Sequence, residues 1–255
     1  MKTKFLFLGV FLLSLTYFLK GQEEKQKFLY VETGIDFISC ESPEKDYIRG
    51  DIDPYSYGYV TEQLRSLLHQ EYVGVKFEYR LLKNLLGISG GFRYTRMISS
   101  IGKSTYWSEA SDFFYVLSRQ DGTTTEYAKV REIVQKSDYL GVPVELRIYP
   151  NKDYAVNIYY KIGATFNLNI INKEEVLFYS EEMNPYRDEV SNVTEDPLPF
   201  YASVNLGAGL KIGKQAKPGA NFEVSFPVGI IPSDENAFVT PQMGVGFQLM
   251  VRIPF

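Results

Sequence analysis

Thirteen residues at one end of the chain restrict its fold more than anything else in it. Met243, Val245, Phe247, Leu249, Val251, Ile253 and Phe255 are apolar, and they alternate with Gly244, Gly246, Gln248, Met250, Arg252 and Pro254. Strict period-two alternation describes a β-strand with one oily face and one wet face. A helix would scatter these apolar residues around its circumference.

The same alternation recurs along the chain. Seven further strands are predicted. They lie at about Phe28–Cys40, Glu71–Leu81, Leu86–Ile98, Ser137–Tyr149, a segment opening at Tyr154, Phe200–Ile212 and Ala220–Ile230. In the fifth, Val156, Ile158, Tyr160, Ile162, Ala164, Phe166 and Leu168 alternate with Asn157, Tyr159, Lys161, Gly163, Thr165 and Asn167.

Connection lengths alternate as well. Lys83-Asn84, Pro150–Asp153 and Gly213–Gly219 are short and turn-rich. Glu41–Gln70, Ser99–Lys136 and Ile171–Pro199 are long, and Ile231–Ala237 is brief. Short turns on one side and mostly long loops on the other are the arrangement of an outer-membrane barrel. The expected fold is all-β: an eight-stranded antiparallel up-and-down transmembrane β-barrel with long outer loops and short periplasmic turns. A hairpin within the second long loop, Phe113–Ser118 with Thr123–Val134 around Asp121-Gly122, is expected to extend the wall above the membrane. The charges of Tyr127–Glu132 keep it out of the lipid.

Composition fits this fold. The chain of 255 residues holds 20 Tyr and 18 Phe but one Trp. Its mean hydropathy is that of a water-soluble protein. A barrel reconciles the two, because only alternate residues face lipid and Tyr can fill the interfacial girdles. The formal net charge of −4 gives no expectation of nucleic-acid binding. Cys40 is the single cysteine, so no intrachain disulfide is possible.

Residues 1–21 read as a cleaved signal peptide: Lys2 and Lys4, the apolar run Phe5–Leu13, then Gly21-Gln22. That run is too short for a spanning helix, which needs about 20 apolar residues. Residues 22–255 are expected to form a single barrel domain in the cell outer membrane. The final strand ending in Phe255 resembles the closing strand of bacterial outer-membrane barrels. That resemblance implies the barrel assembly machinery as a partner, beside outer-membrane lipid.

Ser137-Asp138-Tyr139-Leu140-Gly141-Val142-Pro143-Val144-Glu145-Leu146 resembles the strand motif of the small Bacteroidota outer-membrane β-barrel family, often called PorT-like or porin-like. Lys161-Ile162-Gly163-Ala164 fills that family's next element, and Leu206-Gly207-Ala208-Gly209-Leu210 resembles its later Gly-x-Gly strand. The resemblance implies the fold. Some relatives serve secretion and gliding machinery, and no motif here assigns the chain to it.

Eight strands enclose a space just wide enough to be filled by side chains. The inward-facing set holds Glu32, Asp36, Glu78, Glu145 and Glu223 with Lys76, Arg80, Arg93, Arg147, Lys161, Lys211 and Arg252. Mixed charges in a narrow interior predict paired networks rather than a pore. The expected role is structural or binding, through the outer loops, toward an unknown protein or surface ligand. Alternatives are a narrow channel, a component of envelope machinery, or a lipid-modifying enzyme using His69 with Ser66, Asp112 or Ser137-Asp138 at the rim. No catalytic, cofactor or metal site is expected. The acidic third loop, with Glu174, Glu175, Glu181, Glu182, Asp188, Glu189, Glu195 and Asp196, has no EF-hand spacing. Tyr47, Tyr55, Tyr57, Tyr59, Tyr106, Trp107, Tyr179 and Tyr186 are candidates for a sticky loop surface or for packing the loops together.

Overall fold

Strand β1 (Lys27–Glu41) pairs antiparallel with β3 (Leu64–Leu81) on one side and with β10 (Thr240–Pro254) on the other. In this computed structural model the described residues are 26–41, 47–49, 64–103, 113–120, 125–151, 154–214, 217–231 and 238–255. Residues 1–21, expected to be a signal peptide, lie outside them. From β3 the ladder continues through β4 (Leu86–Lys103), β6 (Thr125–Ile148), β7 (Val156–Phe178), β8 (Phe200–Ile212) and β9 (Gly219–Ile231) to β10. The β6–β7 pairing closes the ring. The chain is a closed eight-stranded barrel.

Two strands stand outside the ring. β2 (Ile48–Arg49) pairs with β5 (Phe114–Gln120), and β5 pairs with β6. This is the expected hairpin, and it extends the wall above the barrel instead of adding strands nine and ten; its tip at Asp121-Gly122 is outside the described residues.

The expected faces hold. Val31, Val75, Phe92, Val142, Ile158, Phe222 and Leu249 are exposed on the outside, while Glu32, Lys76, Arg93, Glu145, Asn157, Glu223 and Gln248 are buried inside. An apolar exterior over a polar interior is the inverse of a water-soluble protein and suits immersion in lipid.

Four strands are longer than expected. β3 begins at Leu64 rather than Glu71, β4 runs to Lys103 rather than Ile98, β6 begins at Thr125 rather than Ser137, and β7 runs on to Phe178. β6 has 24 residues and β7 has 23, against roughly 9–11 needed to cross a bilayer. The excess stands on the side of the long connections as a head, completed by β2, β5, a 3₁₀ turn at Glu181–Tyr186 and the short helix α1 (Arg187–Ser191).

At the opposite end the links are tight. Leu81 pairs with Leu86, and Leu82, Lys83 and Asn84 between them take left-handed backbone.

Candidate functional site: a charged lumen beneath an apolar head

The lumen is built around Glu145 of β6. Its carboxylate accepts from Lys76 Nζ at 2.8 Å and from Arg147 Nη2 at 2.7 Å, with Lys161 Nζ at 3.6 Å and Arg93 Nη2 at 3.8 Å. Glu32 of β1 receives Lys76 at 2.5 Å and Arg93 Nε at 2.8 Å, and it also accepts from Gln248. Glu223 of β9 takes the Lys161 ammonium and the Tyr159 hydroxyl, the latter at 2.9 Å. Glu78 of β3 accepts from Arg80, Arg147, Tyr30 and Tyr149. Seven strands supply these groups, so the network ties the wall together across the lumen.

Arginine planes and aromatic rings fill the turn end. Arg80 lies 4.6 Å from the Phe28 ring centroid and 4.0 Å from that of Tyr149, and Arg252 lies 5.1 Å from Phe28. Arg252 Nη2 also donates to the Lys214 carbonyl at 3.0 Å, in the connection between β8 and β9. Interior glycines make room for rings. A Cβ at Gly34 would stand 2.4 Å from the Tyr72 ring, and one at Gly209 would stand 2.5 Å from Tyr159.

Above Tyr139 and Tyr201, whose rings meet edge to face at 4.8 Å, the interior changes character. Ile101, Phe114, Val116, Ala128, Val130, Ile133 and Val176 form a buried apolar core. Outside, Lys136 pairs with Glu175 at 2.7 Å. On three adjacent strands, Glu71, Arg96 and Asp138 stand side by side on the outer wall. Directly below them runs the apolar row Val73, Tyr94, Leu140, Leu168 and Phe200. That step marks the edge of the lipid-facing band.

Residues 192–199 are held to the mouth of the barrel. Gln135 Nε2 donates to the Glu195 carbonyl at 2.8 Å, Tyr139 donates to the Leu198 carbonyl at 3.2 Å, and the Asn169 amide donates to the Pro199 carbonyl at 2.9 Å. Glu174 receives the hydroxyls of Ser191 at 2.8 Å and Thr194 at 2.5 Å. Tyr47 donates to the Glu195 carboxylate at 2.5 Å. Burial and this carboxylate both push the Tyr47 hydroxyl above its ordinary pKa. Of the two roles expected for the loop aromatics, Tyr47 packs loops together, while Tyr179 and Tyr186 are exposed; Tyr55, Tyr57, Tyr59, Tyr106 and Trp107 lie outside the described residues.

The rim residues considered for catalysis are not brought together. His69 projects outward from β3, opposite Phe37 and Ile98. Ser66, three residues earlier, lies on the other face, and its hydroxyl donates to the Cys40 carbonyl at 3.2 Å. Ser137 turns inward to Asn172, and Asp138 is held by Arg96 Nε at 2.8 Å. Asp112 is outside the described residues. The acidic loop residues are dispersed, with Glu174 and Glu195 engaged within the head and Glu175 paired to Lys136. Among the described residues no group of three or more His, Cys, Asp or Glu is placed to hold a metal ion.

No family model and no curated protein matches the chain. Among solved structures it is similar to the outer membrane protein OprG from Pseudomonas aeruginosa, with a TM-score of 0.47 and 11% identity over 92% of this chain and 98% of that one. Ail from Yersinia pestis, solved with the heparin analogue sucrose octasulfate, gives a TM-score of 0.39 and 10% identity over 91% and 100%. The translocator domain of the autotransporter NalP from Neisseria meningitidis gives 0.30 and 9% over 98% and 95%. The barrel assignment rests on the closed ladder of the chain itself.

Proposed function

We propose that this chain is an outer-membrane barrel that holds a rigid head above the outer leaflet as a binding surface, with its lumen closed to solutes. One observation carries the reading. Along β6 the outward residues Leu140, Val142, Val144 and Leu146 are apolar, and those farther up, Lys136 and Glu132, are charged, while the inward residues change from Glu145 and Arg147 to Ile133 and Val130. A strand patterned in this way suits lipid below and water above.

The lumen supports closure. Glu32, Glu78, Glu145 and Glu223 are each paired with lysine or arginine inside it, whereas a selective path calls for one sign of charge at a constriction. Export through residues 1–21, handling of the Phe255 strand by the assembly machinery and kinship with the PorT-like Bacteroidota family belong to the same proposal. The family kinship rests on the motifs at 137–146, 161–164 and 206–210. The head would meet a protein or surface ligand through its outer loops.

The test pairs two measurements on protein from the outer-membrane fraction. A folded barrel has no free strand edges and resists detergent, so its gel mobility should change on boiling. Planar-bilayer recording of the same material should show no unitary conductance. Recovery in the soluble periplasm without a mobility shift would overturn the membrane reading. Reproducible current steps would overturn the closed lumen and leave the barrel standing.

A further inference from the structure

The wall of the barrel is not sealed evenly. β9 and β10 pair from Gly219 and Arg252 up to Ser225 and Gly246, and there the ladder between them stops. Above that point β9 continues to Ile231 against β8, and β10 continues back to Thr240 against β1. Among the described residues, 226–231 and 240–245 therefore each have a ladder partner on one side only.

Local chemistry keeps the two strands apart. Pro227 and Pro241 stand on opposite sides of the gap and bring no N–H to a ladder. Each strand also carries an irregularity there. The β8–β9 register shifts around Val228, and the β1–β10 register shifts around Gln242 and Met243, where the Ser39 hydroxyl donates to the Met243 carbonyl at 2.7 Å. Such bulges bend a strand and end pairing. β10 hugs β1 at this level: a Cβ at Gly244 would stand 2.4 Å from the Phe37 carbonyl. On the other side of the gap, a Cβ at Gly229 would meet nothing within 4 Å. Gly90, which faces outward in a paired part of the wall, would still touch the Pro143 carbonyl at 3.5 Å.

Behind the gap lies a cavity of about 50 Å³ between the head core and the lumen. Ile230 and Pro241, one from each side of the gap, line it together with Leu68, Tyr201, Leu198 and Phe238. Above, the cavity is covered by residues 196–198, and below lies the charged network. On the outside the gap is flanked by Phe226, Val228, Ile231, Met243 and Val245, all exposed and apolar.

We propose that the gap between upper β9 and β10 is a lateral port through which the end of a hydrocarbon chain of a surrounding membrane lipid enters the apolar cavity beneath the head. The occupant follows from the surroundings. The cavity is lined from both sides of the gap, the residues framing the gap are those of a lipid-facing wall, and unpaired strand backbone at lipid depth needs cover. The proposal rests on the bilayer reading above and is independent of what the head binds.

The test places a tryptophan in the cavity and a quencher on the lipid. In a full-length Trp107→Phe, Cys40→Ser background, Phe238→Trp and, separately, Tyr201→Trp report from the cavity. Ile133→Trp reports from the head core behind a continuous ladder, and Phe247→Trp reports from the lipid-facing wall. Each is reconstituted in vesicles of phosphatidylcholine brominated on its acyl chains. Both cavity reporters should be quenched well beyond Ile133→Trp and toward Phe247→Trp. Adding Val228→Cys and Met243→Cys, which face each other if the register of β9 and β10 is extended, should abolish that quenching when oxidised and restore it on reduction. Gly229→Phe, which places a ring over the opening, should lower it without any disulfide.

Cavity reporters unquenched while Phe247→Trp is quenched would overturn the port. Quenching unchanged by both the disulfide and Gly229→Phe would also overturn it. Quenching by free bromododecanoate but not by brominated phospholipid would overturn the lipid chain as occupant and assign the cavity to a diffusible solute. Failure of Phe247→Trp itself to be quenched, with no gel shift on boiling, would strike the bilayer reading and not the port alone.

Discussion

The lower barrel and the head are made from the same strands, yet they are mirror images in polarity. Below Tyr139, β6 buries Glu145 and Arg147 and exposes Val144 and Leu146; above it, β6 buries Ile133 and Val130 and turns Lys136 outward. Apart from the gap between upper β9 and β10, the ladder runs through both halves, and it satisfies the backbone whatever surrounds it. Only the side chains report the solvent. In the head, burial of apolar area drives folding as in any soluble protein. In the lower barrel that drive is missing, because lipid receives the apolar side chains as readily as a core would. What fixes the shape there is the backbone ladder and the ion network of the lumen.

That contrast can be broken most forcefully at Glu145. Glu145→Ala leaves Lys76, Arg147 and Lys161 crowded in the lumen without their shared carboxylate. Removing one partner of a buried network costs roughly 3–5 kcal/mol. Denaturant unfolding of the reconstituted protein should show a loss of that size in the barrel transition, read by the boiling-dependent gel shift. A loss well under 1 kcal/mol would mean that water already screens the lumen, and would remove the ion network from the account.

A second comparison uses one substitution on one strand. Val144→Arg puts a charge into the lipid-facing band, where about 2–4 kcal/mol is expected near the bilayer midplane. Val134→Arg puts the same charge on the outward face of the head, between Glu132 and Lys136. Surface changes of that kind stay within about 0.5 kcal/mol. Equal costs at the two positions would place Val134 in lipid as well and erase the boundary drawn at Asp138.

Much of the lower barrel was legible from alternation alone, because its outward and inward sets never change phase between Leu140 and Ile148. The head was harder to read. Bulges shift the β6–β7 register between Val130 and Glu132 and again between Asp138 and Tyr139. The first, at Arg131, moves the inward set of β6 from Ile133 to Val130 and Ala128, and the second, at Ile170, falls on β7. The inward set of β6 keeps its phase from Arg147 up to Ile133, so a template of period two loses the strand at Ser137 only because Lys136 and Glu132 charge its outward face. The charges of Lys129, Arg131 and Glu132 excluded this stretch from lipid, but the alternate Ala128, Val130 and Ile133 also marked it as a soluble-type strand with its own core. The gap between β9 and β10 left a fainter trace. Pro227 and Pro241 flag a weakened ladder on strands that the short Ile231–Ala237 connection makes neighbours, yet nothing in the alternation says how far up the pairing between them runs.

The smallest effect concerns how the head is fastened. Tyr47 donates to Glu195, and its hydroxyl is held above the ordinary tyrosine range by burial first and by that carboxylate second. A raised folded-state pKa on an acid means the neutral form is favoured by folding. The contribution is therefore fully present below the unfolded value, about 10, and is lost as pH rises past it. Hydrogen exchange of the β5 amides should accelerate above about pH 10 beyond the intrinsic increase, while exchange in lower β6 should not. Tyr47→Phe removes the hydrogen bond, at about 1 kcal/mol, so its head should exchange faster at neutral pH and show a shallower alkaline rise than the wild type. If β5 and lower β6 respond together in both proteins, head and barrel open as one cooperative unit, and the boundary between them is one of solvent only. If β5 alone responds, the head has a stability of its own, and Tyr47 with Glu195 is part of what sets it.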